Sequence, residues 1–173
     1  HYGEAAATLA ERHPEYLAPL RADAWTLLAW AFVLLRRPAL SGSVVQMAQQ
    51  GLADKLPAEL QDREEVAQRI AALGIVRAGG PIARAALRTY APLLIIGLFH
   101  RRTRSLSAVV IAGGLWHRLK GSAPHATDIP LALADDLAYS TGVWRGAWRR
   151  KSLVAVTPKI TFSTPSLKAL FKR

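Results

Sequence analysis

Apolar residues along this chain follow two patterns, and both are helical. In Ala24 to Leu35, AWTLLAWAFVLL, every side of a helix would be apolar, which means burial in lipid or in protein. Asp23 is placed to cap that helix, and Arg36-Arg37-Pro38 ends it sharply. Trp25 and Trp30 are amphipathic and suit a membrane boundary, or a core position in which the indole N–H finds a partner. From Ser41 to Leu56 the pattern changes. Val44, Ala48, Leu52 and Leu56 recur every four residues with Gln46, Gln49, Gln50 and Asp54 between them, the periodicity of an amphipathic surface helix. Asp62 and Glu65 have the spacing of a capping box, and Val66, Ile70 and Leu73 mark one side of the helix they introduce. Gly79-Gly80 is expected to end it.

The stretch from Gly80 to Lys120 organises the rest. Two apolar runs flank the basic hinge His100-Arg101-Arg102-Thr103-Arg104. Pro81 suits a first helical turn, and from there to Phe99 a helix would extend about 28 Å. Pro92 should kink it, because the ring removes a donor and crowds the preceding turn. Ser105 is placed to cap a second helix running to Trp116 or Leu119. The pattern therefore predicts a helical hairpin with a positively charged tip. A spanning helix wants about 20 mainly apolar residues, and the clean runs here, Tyr90 to Phe99 and Leu106 to Trp116, are shorter. Arg84 and Arg88, four apart, are suited to snorkel to headgroups, with Arg101, Arg102 and Arg104 at the other water boundary. Arg36 and Arg37 hold a like place beside the earlier apolar run. The membrane reading is preferred to a soluble core, which stays open.

A short helix is expected from Glu4 to His13, stopped by Pro14. Thr127 or Asp128 should cap a last long helix from about Ile129 to Arg150. On it, Leu133, Leu137, Thr141, Trp144 and Trp148 step along one side, and Asp135, Tyr139, Gly142 and Gly146 along another. Strand alternation is confined to a possible short piece at Leu153 to Val156, and weak order is expected in the tail. The predicted fold is all-α: a membrane-associated helical module with a central hairpin. Residues 1–21 read as a junction segment with a short helix, 22–150 as the helical domain, and 151–173 as a tail.

Composition narrows the partners without choosing one. The net charge is +11, with 17 Arg and 6 Lys, yet the mean hydropathy is positive at +0.13. Anionic lipid, nucleic acid or phosphorylated ligands are plausible neighbours of such a chain. Cysteine is absent, which excludes a disulfide framework and thiolate metal sites. The chain opens on His1 rather than Met, and is read as a segment of a larger protein.

Candidate chemistry is sparse. Asp135-Asp136 is the one acidic pair beside polar aromatics; paired carboxylates can act as acid and base or hold a divalent ion. The plainer reading is favoured: acids near a helix N-terminus complement its dipole, and Arg118 is a possible salt partner. Gly142-Val143-Trp144-Arg145-Gly146 has the small-xxx-small spacing that lets helices approach closely. Together Asp135, Asp136, Tyr139, Gly142, Trp144 and Gly146 form a possible docking or acceptor-side surface. Histidines show no metal-ligand spacing, and there is no phosphate-cradling loop or GxSxG elbow. The arginine clusters lack an interleaved aromatic platform, which disfavours nucleic acid. No catalytic or metal residue is assigned.

Leu133-Ala134-Asp135-Asp136-Leu137-Ala138-Tyr139-Ser140-Thr141-Gly142-Val143-Trp144-Arg145-Gly146 resembles the C-terminal end of the mycofactocin-system glycosyltransferases, membrane-associated family 2 enzymes of actinobacteria. Tyr2-Gly3 with Ala5-Ala6 and Arg12-His13-Pro14 is similar to the join after their catalytic domain. Arg88-Thr89-Tyr90-Ala91-Pro92-Leu93-Leu94 is similar to a middle stretch of the same region. Ser140-Thr141 departs from the family in having larger residues, and the tail is longer.

The resemblance implies a parent that moves a sugar from a nucleotide-sugar onto a peptide-derived redox cofactor, at the cytosolic side of the cytoplasmic membrane. The divalent metal and nucleotide-sugar would be held by an upstream GT-A domain of the same chain. Neither DxD nor QxxRW occurs here, so no catalytic residue carries over, and what remains is a helical module that anchors the enzyme or shapes its acceptor side. The alternative is a non-catalytic basic helical module that binds nucleic acid or a protein partner.

Overall fold

The computed structural model describes residues 2–13, 18–121, 125 and 127–162. Among them are six helices and two short strands: α1 (Tyr2–Arg12), β1 (Arg21–Asp23), α2 (Ala24–Leu34), α3 (Pro38–Ala53), α4 (Arg63–Phe99), α5 (Arg104–Leu119), α6 (Asp128–Arg150) and β2 (Lys159–Thr161). The fold is mostly helical, as the periodicities predict. The strands are three residues each and pair with one another; the Lys159 N–H donates to the Leu20 carbonyl at 2.9 Å. Neither strand falls at Leu153 to Val156, where Ala155 and Val156 are instead buried core residues. Pro14 and the tail from residue 163 on lie outside the described residues.

Local chemistry sets most of the boundaries. The Asp23 carboxylate accepts the Trp25 N–H at 3.0 Å and caps α2. After α2 the chain turns through Arg36, whose φ of 58° is left-handed. Pro38 then opens α3 at its first turn, three residues before the start predicted at Ser41. The tip of the hairpin also differs from expectation. α5 begins at Arg104, and Thr103, not Ser105, is the cap residue. The Thr103 hydroxyl points backwards and donates to the Gly97 carbonyl at 2.9 Å, so it satisfies the end of α4 rather than the start of α5.

The largest departure is at Gly79-Gly80-Pro81. Instead of ending one helix and starting another, these residues lie inside α4, which is 37 residues long. A proline there removes a backbone bond and costs about 3 kcal/mol in an isolated helix. Packing offsets it: the Trp30 ring covers Gly79, and a Cβ on Gly80 would stand 2.7 Å from Nδ1 of His117. The glycines admit rings, and the helix runs on beneath them. The true break is at Tyr90, with φ −116° and ψ 21°, two residues before Pro92, as the crowding by a proline ring requires.

The chain forms two compact units, divided at Arg21/Ala22, Gly79/Gly80 and Lys159/Ile160. In the unit holding α2, α3 and α4 up to Gly79, Trp25, Ala29, Val44 and Ile75 form the core, with Trp30, Phe32, Val45 and Ala48 against it. The Trp30 indole donates to the Ile75 carbonyl at 2.7 Å, and the Ser41 hydroxyl to the Ala29 carbonyl at 3.0 Å. The buried side of this part of α4 carries Ala67 and Ile75, whereas the predicted Ile70 and Leu73 are exposed.

In the other unit, α4 from Gly80 and α5 form the expected hairpin. A Cβ on Gly114 would lie 2.8 Å from the Ala83 carbonyl and 3.0 Å from Cβ of Leu87, the tight approach that small residues permit between helices. α1 lies along α6. Ala10, Val143, Ala147, Ala155 and Val156 form the core, with Tyr90, Tyr139 and Trp144 packed on it.

Candidate functional site

α6 carries the residues that the sequence marks as a docking or acceptor-side surface, and its buried side runs through Ala132, Asp136, Ser140, Val143 and Ala147. These positions step by three or four and lie between the two sides read from the sequence. Asp136 is 1% exposed. Its carboxylate takes an ion pair from Arg84 on α4 and another from Arg118 on α5 at 3.4 Å. Arg118 also bonds the Ala132 carbonyl at 3.0 Å and the exposed Asp135 at 3.0 Å. Three helices are therefore tied at one carboxylate. Both acids of the pair are held by arginine, the plainer of the two sequence readings. A buried carboxylate so engaged is a structural tie rather than a free acid or base.

One turn along α6, Tyr139 presents its ring to Arg88 of α4, whose guanidinium lies 4.3 Å from the ring centre. Arg84 and Arg88 are four apart on α4, so one helix side delivers both. Arg84 is paired with Asp136, and Arg88 is stacked on an aromatic face. Their i, i+4 spacing was the signal that could have matched them to Asp136 and Tyr139, themselves three apart on α6.

The glycine side of α6 is filled from within the chain. A Cβ on Gly142 would stand 2.9 Å from Cα of Gly3, and Gly146 is buried. α1 is fastened there by Glu4 with Arg145 at 3.2 Å and by Glu11 with Arg150 at 2.7 Å. Trp144 lies on another side, edge-on to Tyr90 with ring centres 6.3 Å apart. Its indole donates to the Thr89 carbonyl at 2.9 Å. The Tyr90 hydroxyl donates to the Val156 carbonyl. Trp148, one turn further, is 86% exposed.

The basic residues assigned to membrane boundaries are all exposed: Arg36 and Arg37 after α2, and Arg101, Arg102 and Arg104 at the hairpin tip. Beside the tip, Ile96 is 66% and Phe99 87% exposed. Among the described residues no three His, Cys, Asp or Glu side chains converge on a common point.

The chain is similar to two curated proteins, each named pre-mycofactocin glycosyltransferase, from Mycobacterium tuberculosis strains CDC 1551 / Oshkosh and ATCC 25618 / H37Rv. It is 31% identical to each over 174 residues, covering 92% of this chain and 37% of the relative. It thus spans little more than a third of the length of the curated relatives it matches. The resemblance carried by three short patches of sequence extends over nearly the whole chain. No family model matches it, and no solved structure does.

Proposed function

We propose that this chain is the C-terminal helical module of a family 2 glycosyltransferase that glycosylates a peptide-derived redox cofactor. The observation that carries the reading is the similarity to pre-mycofactocin glycosyltransferase over 92% of this chain but only 37% of the relative. In this reading the rest of the relative's length corresponds to an upstream GT-A domain of the same chain, which holds the nucleotide-sugar and its divalent metal. The helical module supplies an anchor at the cytosolic side of the cytoplasmic membrane and a wall on the acceptor side. We assign that wall to the exposed side of α6 that carries Asp135, since Asp136 is tied to Arg84 and Arg118 and the Gly142 and Gly146 side is filled by α1.

Two features support the membrane role. α4 is long and apolar enough to cross a bilayer, and only 17% of its most apolar window is buried within the protein. The tip joins exposed Ile96 and Phe99 to Arg101, Arg102 and Arg104. Apolar groups enter the acyl boundary while each basic residue near anionic headgroups contributes about 1 kcal/mol. The nucleic-acid reading is weaker, because Arg84, Arg118, Arg145, Arg149 and Arg150 are engaged in ion pairs within the chain.

Sugar transfer tests the reading directly. The protein carrying both this module and the upstream domain should transfer sugar from a nucleotide-sugar to a peptide-derived acceptor, and the module alone should transfer none. Turnover by the module alone would overturn the division of labour. For the anchor, a Thr103→Cys variant should resist an impermeant thiol reagent in intact cells and react after lysis. Ready labelling from outside would reverse the topology.

A further inference from the structure

The unit formed by α1, the later half of α4, α5 and α6 carries a cleft of about 240 Å³, lined by Arg88, Thr89, Tyr139, Pro19, Val143 and Ala155 among others. Two side chains in it lack the partners that their equivalents elsewhere have. Arg84 and Arg118 in the same unit meet Asp136, and Arg145 meets Glu4. Arg88 has no carboxylate among the described residues; it rests on the Tyr139 ring at 4.3 Å. Stacking leaves the edge of a guanidinium, with its fork of N–H donors, free for an oxyanion. Thr89, next along α4, is only 4% exposed. Its carbonyl takes the Trp144 indole, but its hydroxyl bonds no group among the described residues. The hydroxyls of Ser140 and Thr141, by contrast, both reach the Leu137 carbonyl. A buried hydroxyl without a partner is uncommon, and each such group calls for a reason.

We propose that this cleft is a binding site for a small organic oxyanion, a carboxylate or phosphate monoester. Arg88 takes the oxyanion as a charge-assisted pair, the Thr89 hydroxyl donates to it, and the body of the ligand packs on Pro19, Val143 and Ala155. Guanidinium binds both oxyanions in the same forked geometry, and the volume limits the ligand to something smaller than a nucleotide-sugar. Tyr139 holds the Arg88 plane in place before the ligand arrives. The site stands on these contacts and does not depend on the reading of the whole protein as a transferase.

The test is a titration of the full chain in neutral-detergent micelles, followed by amide chemical shifts at constant ionic strength. The probes are inorganic phosphate, benzoate and dihexanoyl phosphatidic acid, with chloride as control. At least one probe should saturate, with shifts centred on residues 85–89 and 139–143. Arg88→Gln should weaken binding tenfold or more with an unchanged melting temperature, because the side chain is exposed. Thr89→Val, nearly isosteric, should weaken it several-fold, and Arg69→Gln, an exposed position early in α4, should leave it unchanged. Should Arg88→Gln fail to fold, Arg88→Lys keeps the charge but not the fork and should still weaken binding. Tighter binding of the phosphatidic acid than of phosphate would name a lipid headgroup as the source of the oxyanion, and equal binding a soluble ligand. No saturation by any probe, or saturation indifferent to Arg88→Gln and Thr89→Val, would overturn the proposal.

Discussion

The unit built from α2, α3 and the first half of α4 closes over Trp25, Ala29, Val44 and Ile75, with backbone carbonyls taking the buried Ser41 hydroxyl and the Trp30 indole. The unit built from α1, the second half of α4, α5 and α6 closes over short side chains and over Asp136, on which two arginines converge. In the first, stability is expected to follow apolar area, and each large side chain buried contributes about 1.5–3 kcal/mol. In the second, apolar contacts are joined by buried polar groups, Thr89, Ser107, Asp136 and Ser140. Geometry is imposed by charge and by glycine contacts, and the same charges leave Arg88 lining a cleft. The difference teaches that α2, apolar on every side, needs no lipid to be covered on its Trp25 and Ala29 side. The unit richer in arginine is the one that buries a carboxylate beside its apolar core.

Asp136→Ala should break that contrast most severely. It leaves Arg84 and Arg118 without the carboxylate they share, and removal of one partner of a buried pair typically costs roughly 3–5 kcal/mol. Denaturation followed by tryptophan fluorescence measures it. A loss below about 1 kcal/mol, the scale of a surface pair, would mean that the freed arginines reach water and that charge does not organise this unit.

Gly142→Leu comes next. Its side chain would enter the backbone of α1 at Gly3, and overpacking of this kind costs about 1–3 kcal/mol. The companion change, Gly42→Ala on α3, meets nothing within 4 Å and should stabilise by up to about 1 kcal/mol, since glycine inside a helix is unfavourable. Melting temperatures should move in opposite directions. Equal shifts would show that α1 yields to the leucine.

A smaller effect is expected for Trp30→Phe, which keeps most of the ring and removes the bond to the Ile75 carbonyl. The expected loss is about 1 kcal/mol, in the unit of α2 and α3 only; amide exchange at residues 24–35 should rise while that at 128–150 stays unchanged. The smallest is Glu11→Gln. Its pair with Arg150 is partly exposed on both sides, and such pairs contribute about 0–1 kcal/mol. A shift in melting that vanishes in high salt would fit; one that persists would mean that the pair is shielded from solvent.

The sequence was legible wherever one turn of chain held the whole cause. The Asp23 cap, the sharp end of α2, the break before Pro92 and the basic hairpin tip all depend on residues within a few positions of one another. The α6 site was half legible. Arg118 could be named beside Asp135 and Asp136, because a lone acidic pair among so many arginines invites one. Arg84 could not, since it is 52 residues from Asp136 in sequence and its spacing to Arg88 suited a headgroup equally well. Thr89 gave no signal at all: a threonine in a helix ordinarily bonds its own backbone, and only the folded structure shows that this one does not.

Sequence alone determined that the chain is helical, where the hairpin bends, how its charge is spread and which proteins it resembles. Those follow from backbone dihedrals, side-chain periodicity and residue identity, none of which needs a distant neighbour. Tertiary structure decided that Gly79-Gly80-Pro81 continues a helix, because Trp30 and His117 fill the space above the glycines. It also decided which side of α6 is buried. Hydropathy favoured its leucines and tryptophans, but the small residues around Asp136 let helices approach. A carboxylate taken from water is stable only where cations come with it. Here they came from α4 and α5, so the choice of buried side belonged to three helices jointly and to no single stretch of sequence.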